Sequence, residues 1–227
     1  MISQMYTNYF YFDIETTSKF PTLFDYKLDD VRGANLFVKK AENFRKFDPE
    51  WSGELNDVFI NKAPLLPEYG RIICMSFGMF KDDELKTGVI VDLDEKELLK
   101  RMVRVFSRAA DLKRTYAGFN IKSFDLPFII KKLYKYGIDV PMCLNYRTSK
   151  PWEIIMVDLM EIWRGTGRYG SSLQEVAYEL NIAEPDTSIT GADVFDLYWN
   201  KKDINTVTKK CENDVITSIE IAKILKI

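Results

Sequence analysis

The sequence contains no histidine, and its three cysteines, Cys74, Cys143 and Cys211, lie far apart. The missing histidine removes Ser-His-Asp and Cys-His nucleophile systems, HExxH zinc sites and any histidine general base. The sparse, odd-numbered cysteines exclude a disulfide frame or a cysteine zinc site; they read as buried or incidental thiols in a reducing cytoplasm. An excess of charge of one sign is also lacking. With 32 basic against 34 acidic residues the net charge is −2, which is no footprint for coating bulk nucleic acid but does not exclude an enzyme that grips only a strand end. No hydrophobic run approaches the length of a membrane span. The first residues, Met1 to Met5, have no basic segment followed by an apolar one, so no signal peptide is read and a cytoplasmic location is expected. Repeats, low-complexity tracts and Gly/Ser linkers are absent, which implies a single domain over 1–227.

What the chain does have is apolar bulk. Hydrophobic residues make up 46% of its 227 positions, including 15 Phe and 12 Tyr, enough for a substantial packed core. Any chemistry then falls to carboxylates, lysines, tyrosines or a metal.

A β-branched and aromatic run over 8–15 predicts a buried strand. A long polar, aromatic-rich stretch follows over 16–69. Two more strands are expected over 71–80 and 87–92, joined by the turn-like Lys81-Asp82-Asp83-Glu84. Asp94 with Glu97 forms a capping box for a helix carrying Leu98, Leu99, Met102, Val103 and Phe106 at helical spacing. A strand is read over 114–120, then a helix over 125–136 closed by Gly137. Residues 152–163 read either as strand throughout or as strand turning into helix at Asp158. Short helices are expected over 172–181 and 192–199. A last helix opens near Asp203, with Ile204, Val207, Cys211, Val215, Ser218 and Ala222 on one stripe. Three adjacent strands followed by helix–strand alternation define an α/β domain with a mixed β-sheet flanked by helices. Its site is expected at the strand ends, where loops gather.

Three groups of acids stand out. Asp13 and Glu15 are two positions apart on the first strand and project to one face, where paired acids need a cation; alternatively the strand ends at Phe12 and both lie in a solvated loop. Asp125 follows a buried strand and opens a helix, a place for an N-cap or for a ligand-binding carboxylate. Asp214 lies mid-helix beside an apolar stripe, where solvent exposure and metal ligation are the two readings. Together they form an oxygen-rich set that suits Mg²⁺ or Mn²⁺ rather than zinc. Two such ions about 4 Å apart can activate water and stabilise a leaving 3′ oxygen in phosphodiester hydrolysis.

At these residues the sequence resembles the DnaQ-like (DEDD) 3′→5′ exonucleases. Phe12-Asp13-Ile14-Glu15-Thr16-Thr17 is similar to their first motif, Asn120-x-x-x-Phe124-Asp125-x-Pro127 to the second, and Cys211-Glu212-Asn213-Asp214-Val215 to the third. The stretches Ala63–Cys74, Val157-Asp158-Leu159, Ser172-Leu173-Gln174-Glu175 and Thr190-Gly191 resemble one branch, the exonucleases related to the proofreading domain of B-family DNA polymerases, many of them phage-encoded. The match covers most of the chain and is weakest from Ser18 to about Lys62. The resemblance implies a ribonuclease-H-like fold with an insertion at about 18–66, and two divalent cations, Mg²⁺ or Mn²⁺. It implies removal of nucleotides from the 3′ ends of single-stranded DNA, with RNA as an alternative substrate and a DNA polymerase or replication complex as partner. On the same comparison Asp13 bridges both ions, Glu15 and Asp214 complete one, and Asp125 supports the other, partly through water. Thr16, Thr17 and Asn120 lie near the terminal nucleotide. Phe124 is either a wedge against a base or a buried residue at the helix start, and Asp158 is structural. The competing class is a catalytically impaired nucleic-acid-binding or scaffold domain of the same fold.

The chain departs from the family at the residue that orients the attacking water. One branch has Tyr four residues before the last Asp and the other has His five before it; those positions here are Lys210 and Lys209. Lys210 and Asp214 share a helix face, so Lys210 is either a structural ion-pair partner or a catalytic residue, as a phosphate clamp, a water-orienting group or, if neutral, a base. A tyrosine from elsewhere, Tyr169 or Tyr116, is the third option. Within 18–66, Phe20, Phe24, Tyr26, Phe37, Phe44, Phe47 and Trp51 alternate with Lys39, Lys40, Arg45 and Lys46. They form a lid packed on the sheet or, as the less favoured reading, a single-strand platform.

Overall fold

Strand β1 (Tyr9–Ser18) is the axis of the fold. Its aromatic and β-branched residues suit a strand covered on both sides. In the computed structural model, which describes residues 5–146, 149–150, 153–183 and 189–227, every residue of β1 except Asp13 is buried. Strands β2 (Gly70–Lys81) and β3 (Glu84–Val91) form an antiparallel hairpin along one side of β1. On the other side β4 (Thr115–Gly118) and β5 (Val157–Asp158) add in parallel. The result is a mixed five-stranded sheet in the order β3-β2-β1-β4-β5. Asp82 and Asp83 close the hairpin with positive φ of 52° and 60°, the left-handed pair that a two-residue hairpin turn requires and that Asp tolerates.

Alternation along β1 sorts its side chains between two helical layers. Phe10, Phe12 and Ile14 face α4 (Glu95–Asp111) and α5 (Asp125–Tyr136), packing with Leu98, Met102, Phe106, Phe128 and Leu133. Phe106 meets Phe12 edge-on at 5.0 Å between ring centres. Burying each such ring contributes about 1.5–3 kcal/mol. Tyr9 and Tyr11 face the opposite layer, made of α6 (Leu159–Arg164), α7 (Leu173–Glu179) and α8 (Ile204–Leu225), through Leu159, Val176, Val215 and Ile219. The same alternation turns Asp13 and Glu15 toward α8.

Several elements depart from the sequence expectations for local reasons. β1 continues to Ser18 because Gly70 and Arg71 keep pairing with it, and the register slips between Glu15 and Thr16, leaving Ile73 as an extra residue on β2. Such a bulge sharpens the twist beside Glu15. β4 stops at Gly118, short of 120, because Asn120 takes a left-handed φ of 60°. Asp94 caps α4 by accepting from the N–H groups of Lys96 and Glu97, but the Glu97 carboxylate pairs with Lys100 instead of reaching back, so the cap is one-sided rather than a capping box. Of 152–163, Trp152 lies outside the described residues and only Val157–Asp158 is strand; α6 begins at Leu159 with Asp158 as its N-cap. The helix expected over 192–199 is a 3₁₀ turn (Gly191–Asp193) leading into a π-helical turn (Asp196–Asn200). Residues 1–4, on which the signal-peptide reading rests, are outside the described residues. Among the described residues no helix is long and apolar enough to cross a membrane.

The stretch 18–66 holds three helices that sequence reading did not separate: α1 (Leu23–Asp29), α2 (Val31–Phe44) and α3 (Leu55–Lys62). Thr22 and Asp30 cap the first two by accepting from the N–H groups of Asp25 and Gly33. Tyr26, Phe37, Trp51 and Phe59 pack with Tyr69 into a core of their own. Packing therefore takes Tyr26, Phe37 and Trp51, while Phe24 and Phe47 remain 68% and 73% exposed.

Candidate functional site

Asp13 and Glu15 leave β1 on the face covered by α8, and α8 brings Lys210 and Asp214 to them from one helical turn. The Lys210 ammonium lies 2.5 Å from Glu15 Oε1 and 2.8 Å from Asp214 Oδ2. Asp125, the first residue of α5, is buried, and its Oδ1 accepts a 3.0 Å hydrogen bond from the Ile14 N–H, between the two β1 acids. Acids from three separate stretches of the chain thus converge beside β1, with the solvated-loop reading of Asp13 and Glu15 overturned by their place within β1.

Their electrostatics is that of a site short of positive charge. Burial pushes the Asp13 carboxyl well above the usual range, with Asp125, Asp214 and Glu15 adding to the rise and Lys210 opposing it. Burial likewise raises Glu15 against the pull of Lys210. Asp125 is pushed up to about 8 by burial, against the stabilising Ile14 N–H. Burial by itself lowers Lys210, but Glu15, Asp214 and Asp13 more than offset this, so its pKa is raised and the ammonium is held protonated. These surroundings oppose a role for Lys210 as a base, which requires the neutral amine.

Cys211 is the residue that sequence reading left out of the site. Its sulfur is 3.3 Å from Asp13 Oδ2 and 3.4 Å from the Asp13 carbonyl oxygen. Ligand atoms of Asp13, Glu15 and Cys211 lie within 4.8 Å of one another. Burial, with Cys74 and Asp13 beside it, pushes the Cys211 thiol well up, and the S–H donates to Asp13. Its place on the stripe with Val207 and Val215 was the available signal, but only the fold shows that this stripe meets Asp13.

The acids and Lys210 line an open cleft of about 310 Å³ together with Phe119, Asn120 and Phe124 after β4, Met160 of α6 and Gln174 of α7. Asn120 donates its N–H to Asp158 Oδ1 at 2.9 Å, while its own side-chain oxygen is covered and has no hydrogen-bond partner among the described residues. Phe124 is half-buried against Phe128, with 5.7 Å between ring centres. Thr16 and Thr17 stand outside this lining. The Thr16 hydroxyl donates to the Pro64 carbonyl at 2.8 Å, and Thr17 is fully buried on β1. Asp158 is absorbed by main chain, accepting from Asn120, Lys122, Met160 and Glu161 N–H groups. Neither tyrosine considered as a water-orienting group lines the cleft: Tyr116 donates to the Phe106 carbonyl in the core at 2.9 Å, and Tyr169 is 82% exposed.

The donor set suits a hard divalent cation. If all four acids are ionised, the single Lys210 ammonium leaves three negative charges uncompensated in one cleft, and such charge is costly unless a cation neutralises it. Carboxylate oxygens from three elements match Mg²⁺ or Mn²⁺ better than zinc.

A mixed sheet of this order with an acidic pocket on its central strand defines a ribonuclease-H-like, nuclease-type hydrolase. The chain belongs to the RNase H superfamily, whose family model matches residues 60–226. It is 24% identical over 173 residues to the DNA polymerase of Pyrococcus glycovorans, a match covering 68% of this chain and 22% of that protein. DNA polymerase 1 of Pyrococcus abyssi matches with the same figures. The structure of the family B DNA polymerase from the hyperthermophilic archaeon Pyrobaculum calidifontis aligns with a TM-score of 0.56 at 14% identity, over 95% of this chain and 24% of that one; this likeness concerns the fold. The chain spans between a fifth and a quarter of these relatives' length. Together these matches support the relationship to DnaQ-like exonucleases that the three motifs imply.

Proposed function

We propose that the chain is a divalent-metal-dependent 3′→5′ exonuclease that hydrolyses the terminal phosphodiester bond of single-stranded DNA. The observation that carries this reading is the convergence of Asp13, Glu15, Asp125 and Asp214 in one cleft, in a chain without histidine. These carboxylates would hold Mg²⁺ or Mn²⁺, which when bound would supply an activated water and neutralise charge on the leaving 3′ oxygen. Glu15 and Asp214 both contact Lys210, and Asp125 accepts from the Ile14 N–H between the two β1 acids. Phe124 and Asn120, which line the cleft, are assigned to the terminal nucleotide rather than Thr16 and Thr17, whose side chains are turned to Pro64 and the core. The similarity to polymerases favours DNA as substrate and work alongside a DNA polymerase or replication complex.

Release of mononucleotides from 3′-labelled DNA and RNA oligonucleotides in Mg²⁺ or Mn²⁺ tests this directly. The expected result is stepwise shortening of single-stranded DNA that Asp13→Ala and Asp214→Ala abolish. Shortening that survives both substitutions refutes the assignment; no shortening by the wild type, with nucleic acid still bound, leaves the scaffold reading in its place. Equal or faster RNA degradation moves the substrate to RNA.

A further inference from the structure

Lys210 lies inside the carboxylate cluster rather than at its rim. Its side chain is only 10% exposed and that of Glu15 8%. The i,i+4 spacing on α8 explains contact with Asp214, but the ammonium also reaches across to β1 and pairs with Glu15. An ammonium has three donors and no acceptor, and here two carboxylates from different elements share it. A cation bridging Glu15 and Asp214 is therefore already built into the chain. Outside this bridge remain Asp13, on the same strand as Glu15, and Asp125, whose Oδ1 accepts from the Ile14 N–H between the two β1 acids. A dication seated between Glu15 and Asp214 would have to displace the ammonium or sit beside a like charge, which electrostatics disfavours.

We propose that Lys210 takes the place of one divalent ion, the one that Glu15 and Asp214 would share, so that the chain binds a single divalent ion, through Asp13 and Asp125. This rests on the metal-dependent reading above and takes one ion where the family resemblance implies two. It also assigns the departure from the family's Tyr or His a physical role, in which a fixed monovalent charge stands where a mobile dication would otherwise be recruited.

Counting bound Mn²⁺ tests the proposal without relying on activity. Calorimetric titration and electron paramagnetic resonance are run on the full chain with and without deoxythymidine monophosphate, whose phosphate would complete the ligands of a second ion. The wild type is expected to bind one Mn²⁺ per chain under both conditions. Lys210→Met is expected to bind two, with the broadened signal of neighbouring Mn²⁺ ions, and Lys210→Arg, which keeps the charge, to bind one. Two coupled ions in the wild type, or one in Lys210→Met, overturns the proposal. Should Lys210→Met fail to fold, the wild-type and Lys210→Arg counts still decide it. No Mn²⁺ bound to any of these proteins rejects the metal reading itself, and this inference with it.

Discussion

The main-chain N–H of Ile14 donates to Oδ1 of Asp125 at 3.0 Å, joining residues 111 positions apart in the chain. The bond ties the start of α5 to the strand between Asp13 and Glu15, so the same carboxylate both builds the site and holds it in register. Stability and chemistry can therefore be separated at this residue. Asp125→Asn keeps an acceptor for Ile14 and should fold with little loss, whereas Asp125→Ala leaves a buried donor unsatisfied at about 1–3 kcal/mol. Both should lower nucleotide release by roughly a hundredfold or more. Urea denaturation beside the nuclease assay checks the pair; equal stability of the two variants would show that the bond is dispensable.

Asp13 is crowded by three other acids, and its charged form is disfavoured by burial and by each of them. Asp13→Asn should remove nuclease activity while raising the stability of the metal-free chain by about 0.5–2 kcal/mol, as expected for a residue kept for function at a cost in stability. Denaturation in a chelator reads this out. A destabilised Asp13→Asn would mean that the Cys211 contact outweighs the repulsion.

Away from the site, Lys132 of α5 is buried, donates to the Gly70 carbonyl and lies 3.5 Å from Glu95. Burial pulls its ammonium down to about 7, against the opposing influence of Glu95. In the unfolded chain it titrates near its ordinary value of about 10.4. Between these values the unfolded chain holds a proton that the folded chain has released, so this group makes stability rise with pH from about 7 to about 10. Urea midpoints across that window, wild type against Lys132→Met, should show the slope in the wild type and its reduction in the variant. Parallel curves would exclude the lysine as its source.

Gly118 ends β4 where the chain passes closest to β1. A Cβ there would lie 2.7 Å from the Phe12 carbonyl oxygen and 2.5 Å from Ile121 Cγ2. The carbonyl belongs to the strand that carries Asp13 and cannot retreat without moving it. Gly118→Ala is expected to cost about 1–3 kcal/mol and to reduce activity by displacing Asp13 and Asn120. A variant with unchanged melting and full nuclease rate would disprove this coupling.

Much of the architecture was legible in local pattern. The apolar run of β1, the hairpin signal at Asp82-Asp83, the Gly137 end of α5 at φ 64° and the Asp203 cap of α8 each follow from chemistry within a few residues. The cap of α4 was half legible, since Asp94 was recognised but the partner of Glu97 depended on where Lys100 lay. Helices α1–α3 escaped because their apolar positions, such as Ala34, Phe37 and Ala41, are few and are set among exposed apolar and charged residues. Only their shared core around Phe37 and Trp51 makes them helices of one layer.

By itself, the sequence determined the kind of chemistry open to this protein, because residue types and strand alternation are local properties: no histidine, two acids on one strand face, one at a helix start, one within a helix. Tertiary structure decided what those acids are next to. Side-chain proximity across more than a hundred residues depends on how layers pack, not on spacing. Packing brought the Cys211 thiol to Asp13, turned Thr16 toward Pro64, and carried the Lys210 ammonium past its helix neighbour to Glu15.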